Sequence, residues 1–182
     1  MIYYDLERKK PIEKGKFKVD ENGGVIITEG AFYCFDNSVV IAKGTSIVES
    51  YENSRVWAYD NSQVTARDNS QVMANDNSKV WANDTSKVEA RGNSKVIAYD
   101  NSKVRAMDNS LVDARDNSRV WARGNSWVEA KDNSQVWAYE NSRVWVYDNS
   151  QVTARDNSQV TANDNSKVTA NDNSKVNGLR SK

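Results

Sequence analysis

The chain has 182 residues, with 25 Lys or Arg against 25 Asp or Glu, no histidine and one cysteine, Cys34. Balanced charge removes the usual electrostatic footprint of a nucleic-acid binder, so no nucleic-acid partner is expected, although net charge says nothing about how charges are distributed. Without histidine there is no His-based triad and no His-ligated metal site, and a lone cysteine forms no intrachain disulfide.

The first segment, residues 1–35, reads as an N-terminal capping segment. Its opening run from Met1 to Lys10 lacks the apolar core of a signal peptide. No stretch approaches the roughly 20 apolar residues of a membrane span, so the expectation is a soluble, cytoplasmic protein with no membrane partner. Lys16 to Val19, Gly24 to Thr28 and Ala31 to Phe35 read as short strands around the turn Glu21-Asn22-Gly23-Gly24. They are rich in large apolar groups and are expected to cover the first coil of the repeat tract. Cys34, inside Ala31-Phe32-Tyr33-Cys34-Phe35, reads as a buried packing residue, since free Cys behaves as a small hydrophobe.

Residues 36–179 are one octad, Asp-Asn-Ser-x-Val-x-Ala-x, repeated eighteen times without insertion or deletion. Fixed periodicity of this kind is the mark of a repeat architecture. Position 3 is Ser and position 5 is Val in all eighteen octads, and position 7 is Ala in fifteen, the exceptions being Ser50, Val146 and Gly178. Positions 4, 6 and 8 vary among polar, charged and aromatic residues. Alternation of small or apolar with variable side chains predicts a half-buried strand with Ser, Val and Ala inward. The helical alternative fails, because Val recurs every eight residues rather than at spacings of three and four.

Positions 1 and 2 are the predicted turn. Gly44, Gly92 and Gly124 replace the acid at position 1, whereas Thr45 and Thr85 replace Asn at position 2. Gly tolerates a positive φ and β-branched Thr does not, so position 1 is expected to carry the unusual backbone angle. Asn would then act through its side chain, stacking on the Asn of the next coil in an amide ladder. Two octads per coil place Val against Val in a thin sandwich, with Ser meeting Ala on either side. Three would leave a triangular interior that such small residues do not fill. The predicted fold is therefore an all-β parallel solenoid of 18 octads and nine coils, a rod about 43 Å long at ~4.8 Å per rung, with residues 180–182 as a tail.

The octad resembles that of the central domain of bacterial ice-nucleation proteins, Ala-Gly-Tyr-Gly-Ser-Thr-x-Thr. Started at its Ala, the present repeat reads Ala-x-Asp-Asn-Ser-x-Val-x, as in Ala58 to Thr65, and shares the Ala, the Ser and the period. Uncharacterised bacterial and phage proteins carry similar octad tracts. The resemblance implies architecture, two octads per coil of a β-solenoid. The family's Thr-x-Thr would fall on positions 4 and 6. Thr65, Thr153, Thr161 and Thr169 occupy position 6, but position 4 is never Thr and is Lys or Arg nine times, so ice binding is not expected.

The repeat shows no asymmetric set of convergent groups, so neither an enzyme nor a cofactor is expected. A calcium-stabilised β-roll is a minor alternative, because the turn acids lack the glycine-rich loop that calcium-binding rolls use. Surface pairing with cations at positions 4 and 8 is expected to tolerate the acid columns. The functional lead is aromatic, since all six tryptophans and five tyrosines occupy outward positions. Trp and Tyr on a solvent face mark interfaces, and Trp121, Trp127, Trp137, Tyr139, Trp145 and Tyr147 form the densest run, with Trp121 and Trp137 expected on adjacent rungs of one face and Trp145 on the other. The expectation is a structural, self-assembling homo-oligomer. It would associate through these rings or through an uncapped last coil at Val176 and Leu179, the latter giving a tail-to-tail dimer. The alternative is a recognition module that binds a glycan, a protein or a surface through the same rings.

Overall fold

A computed structural model describes residues 4–5, 10–11, 17–19, 25–35 and 37–178, with side-chain surroundings from Val25 onward. Short strands β1 (Tyr4–Asp5) and β2 (Lys10–Pro11) form an antiparallel pair. Next come β3 (Phe17–Val19), β4 (Val25–Ile27) and β5 (Ala31–Cys34). From there each octad contributes one strand, beginning with β6 (Val39–Ala42) and β7 (Ile47–Ser50) and ending with β22 (Lys167–Ala170) and β23 (Lys175–Asn177).

Alternate strands stack into two sheets. Sheet I holds β3 and the even-numbered strands β4 to β22, and sheet II holds the odd-numbered strands β5 to β23. Within the octad tract every pairing is parallel and shifted by sixteen residues, as in Val72↔Val88 and Trp121↔Trp137. Two octads therefore make one coil, as the small interior residues predict.

The ladder begins ahead of the motif. Strand β4 pairs in parallel with β6 through Val25↔Val40 and Ile27↔Ala42, and β5 pairs with β7 through Phe32↔Val48 and Cys34↔Ser50. Residues 25–35 thus build a tenth coil where the octad count predicts nine. Its β4 half is offset by fifteen residues rather than sixteen, and it lacks an Asp-Asn-Ser turn, so nothing in the repeat pattern announces it. Strand β3 lies antiparallel on β4, with Phe17 opposite Ile27 and Val19 opposite Val25, and supplies the outer cover of sheet I at that end. The expected turn at Glu21 to Gly24 lies outside the described residues, as do Leu179 and the 180–182 tail.

The turns explain the octad's first two letters. The Ser N–H of position 3 donates to the carbonyl three residues back, for example Ser62 to Tyr59 at 3.1 Å. At each of the seventeen described position-1 residues the backbone is left-handed, with φ of +54° to +59° at fourteen acids and +61°, +63° and +67° at Gly44, Gly92 and Gly124. A positive φ at the first central residue alone favours glycine, yet acids dominate. The reason lies one coil away. Where the next coil carries an acid at position 1, its carboxylate accepts from the position-1 N–H sixteen places back. These bonds span 2.8–3.3 Å, from Gly44→Asp60 to Asp156→Asp172. Glutamate serves as well, since Glu140 accepts from Gly124 at 2.8 Å.

The predicted Asn ladder is therefore replaced by a carboxylate ladder. Asn contributes its backbone N–H to the turn carbonyl of the preceding coil, as Asn61 does to Gly44 at 3.0 Å. The acid wins because a charge-assisted bond to a backbone N–H is stronger than an amide–amide contact and position 1 projects along the stack.

Inside, Val of position 5 and Ala of position 7 are buried from Val40 to Ala162, together with Ser of position 3. The predicted meeting of positions 3 and 7 is visible at Ser54, whose Oγ lies 2.6 Å from Ser50 Oγ and 3.7 Å from Cys34 Sγ. Ile27, Phe32 and Cys34 fill the first coil. With sheets roughly 10 Å apart, each buried Val contributes on the order of 1.5 kcal/mol or more, and ten coils repeat the gain.

Candidate functional site

Because positions 4, 6 and 8 point outward, each sheet displays three columns of side chains at the rung spacing. Sorting the octads by parity assigns them. Sheet I displays Lys43, Arg55, Lys87, Arg91, Lys103, Arg105, Arg119, Arg123, Arg155 and Lys167, with Glu89 as its one acid. Sheet II displays Arg67, Lys79, Lys95, Arg115, Lys131, Arg143 and Lys175 against Glu49, Asp113 and Glu129.

The two faces treat those charges differently. On sheet II, Asp113 accepts from Arg115 at 2.6 Å and lies 3.7 Å from Lys131, which also meets Glu129 at 3.1 Å. On sheet I, Glu89 is held by Arg91, whose Nε donates at 2.8 Å. Among the described residues Arg55, Lys87, Lys103, Arg105 and Arg119 have no carboxylate within ion-pair distance. The turn acids do not neutralise the cations either. From Asp60 to Asp172 they form columns along the two edges, bonded to backbone N–H groups rather than to Lys or Arg. The expected pairing of edge acids with face cations is thus not what these residues adopt. A chain of zero net charge carries anionic edges and cationic faces.

The aromatic run is likewise divided. Trp121, Trp137 and Tyr139 lie on sheet I, whereas Trp127, Trp145 and Tyr147 lie on sheet II. Trp121 and Trp137 stack at 5.0 Å with planes 10° apart, and Arg123 sits 5.3 Å from the Tyr139 ring. On the opposite face Trp127 and Trp145 meet at 4.9 Å, tilted by 45°, with Arg143 placed 5.2 Å over Trp127. Adjacent rungs pair Trp121 with Trp137, while Trp127 and Trp145 are diagonal neighbours. Val176 is 37% exposed on the last described strand.

Each face contains a depression bounded by tryptophans four rungs apart. On sheet I a trough of about 900 Å³ extends from Trp57 to Trp121 over Met73, Glu89 and Arg105. On sheet II a depression of about 560 Å³ extends from Trp81 to Trp145 over Ile97, Asp113 and Glu129, with Leu111 and Trp127 beside it. A third furrow, of about 1000 Å³, follows the edge column of Asn61, Asn77 and Asn93 beside Lys79 and Lys95.

The candidate residues chosen on aromaticity alone omit the cations of the first trough and the apolar Ile47 and Leu111 of sheet II. The missing signal was parity, because charge and apolarity separate only when alternate octads are read as separate lists. Cys34 is fully buried, and burial pushes its thiol up, against the opposing hydrogen bonds of Ser54 and Ser50. Among the described residues no group of three or more His, Cys, Asp or Glu is arranged to hold a metal ion, and no helix is long and apolar enough to cross a membrane. No family model, curated protein or solved structure matches the chain.

Proposed function

We propose that the protein is a non-enzymatic structural solenoid that pairs with a second copy of itself through sheet II. One observation carries this reading. Among the described residues the large apolar side chains left exposed at outward positions, Tyr33, Ile47, Leu111 and Trp127, all belong to strands of sheet II, while Val176 is an inward residue uncovered on the last described rung. Exposed apolar groups gathered on one face mark a contact surface, and Trp is a preferred anchor.

Charge favours the same choice. Lys79 and Lys95 share the sheet II depression with Asp113 and Glu129, so a two-fold axis through it can set unlike charges against one another. Two copies of sheet I would instead bring cation against cation. The face measures roughly 48 Å by 15 Å, on the order of 700 Å² per partner, near the ~800 Å² of a standard interface. The non-enzymatic reading is supported by the regular distribution of acids along the edges and by a cysteine closed to solvent.

Sedimentation velocity across a wide concentration range tests the proposal. The expected result is a monomer–dimer equilibrium that Leu111→Ser with Trp127→Ser weakens by about 2 kcal/mol or more, while Trp121→Ser with Trp137→Ser leaves it intact. A monomer at every concentration, or a dimer indifferent to the sheet II pair, would overturn it.

A further inference from the structure

Self-pairing through sheet II leaves the cationic face of sheet I without an occupant. Its trough of about 900 Å³ is lined by Arg55, Lys87, Lys103, Arg105 and Arg123, with Glu89 as the one acid. Glu89 is already engaged by Arg91. The first four of those cations have no carboxylate partner among the described residues. Cations gathered in one concavity without counter-charges raise the local concentration of anions. The trough also has rings at both ends, Trp57 at one and Trp121 at the other.

The stacking of Trp121 on Trp137 runs along the ladder of adjacent rungs. One face of Trp121 is therefore covered by Trp137, and its other face is directed along the solenoid toward the rung of Arg105. Trp57 and Trp121 are four rungs apart, about 19 Å at ~4.8 Å per rung. That length accommodates about five nucleotides stacked at ~3.4 Å.

We propose that the sheet I trough binds a single strand of nucleic acid, with phosphates on Arg55, Lys87, Lys103 and Arg105 and bases stacked on Trp57 and Trp121. A cationic groove that follows a backbone, combined with aromatic platforms, is the arrangement by which proteins bind single strands without reading sequence. An acidic polysaccharide would satisfy the cations but offers no π-face to the rings. A duplex hides its bases from them. The balanced net charge is no obstacle, because the compensating acids stand on the edges.

The test uses the full chain at concentrations where it is monomeric, with a fluorescein-labelled oligothymidylate as the probe. Anisotropy is expected to rise on binding and Trp emission to be quenched. The logarithm of the affinity should fall with log salt at a slope of about −0.7 for each phosphate neutralised, or roughly −2 to −3 for the four cations. An abasic strand of the same length should bind about tenfold or more weaker, from the loss of stacking. Lys87→Glu with Lys103→Glu and Arg105→Glu should abolish binding while circular dichroism shows the fold retained. Leu111→Ser with Trp127→Ser, which addresses sheet II, should leave it unchanged, so failure of self-pairing and failure of this site are separable. Equal binding of the abasic strand or of a sulfated polysaccharide would overturn the proposal, as would binding that survives the triple charge reversal or no binding at low salt.

Discussion

Sheets I and II are built from the same octad, share one interior and stack at the same rung spacing, yet their outer surfaces differ: both are net cationic, but sheet I is nearly free of acids and sheet II mixes acids and exposed apolar groups with its cations. Sheet I sets ten cations against one acid, and among the described residues Arg91 alone of the ten meets a carboxylate. Sheet II interleaves acids with its cations in the Asp113–Arg115–Lys131–Glu129 cluster and exposes the large apolar groups. The difference teaches that a repeat constrains only what faces inward. Three small residues per octad serve the fold, and the three outward positions are free to build a separate surface on each side.

The most severe way to break the comparison is from beneath. Val120 of sheet I and Val128 of sheet II are both fully buried, so Val120→Asp and Val128→Asp should cost alike, about 4 kcal/mol or more, because each buries an unpaired charge. Chemical denaturation checks this, and a large gap between the two would mean the sheets do not share one core.

The edges offer the next test. The column of turns that leads into sheet I is unbroken acid from Asp68 to Asp164, while the other is interrupted by Gly92 and Gly124. Asp100 has φ +55° and accepts the Asp84 N–H at 3.1 Å. Asp100→Gly keeps the angle and loses the bond, at about 1 kcal/mol. Asp100→Val also forces a β-branched residue into the left-handed region, raising the cost to about 2–3 kcal/mol. Equal thermal midpoints for the two variants would show that the angle itself costs nothing.

Exchanging the character of the faces is a gentler change. Arg105→Asp places on sheet I an acid like Asp113, and oligothymidylate affinity should fall about tenfold, or ~1.4 kcal/mol. Asp113→Asn frees Arg115 and Lys131 and should weaken the sheet II dimer by about 1 kcal/mol, read by sedimentation. If either change acts on both properties equally, the faces are not independent.

The smallest effect concerns Tyr51 of sheet II, whose hydroxyl donates to Glu49 at 2.5 Å and whose ring stacks on Phe35 at 5.0 Å. Burial first, then the Glu49 carboxylate, push its pKa up to about 12. The folded state holds this proton more tightly than the unfolded chain, where a tyrosine ionises near about 10. The resulting stability is present below that pH and is lost as pH rises through about 12. Ultraviolet difference titration should show one late tyrosine that moves down in Glu49→Gln, and an unmoved titration would remove Glu49 from the explanation.

The octad by itself determined the strands, the inward Ser, Val and Ala, the two-octad coil and the left-handed position 1. Each of these follows from side-chain size or backbone sterics acting within eight residues. It did not disclose that residues 25–35 form the first coil, because Val25 and Phe32 reach their places by pairing with Val40 and Val48 rather than by carrying the motif. Nor did it disclose why position 1 prefers an acid, since the partner is a backbone N–H sixteen residues away. The six aromatic candidates were correctly read as outward, and two octads per coil already set Trp121 and Trp137 on one face and Trp145 on the other. Only the tertiary structure placed Trp121 with Arg105 and Trp127 with Leu111 on opposite sides of one slab, because stacking converts a distance of sixteen in sequence into neighbouring rungs and a distance of eight into opposite faces.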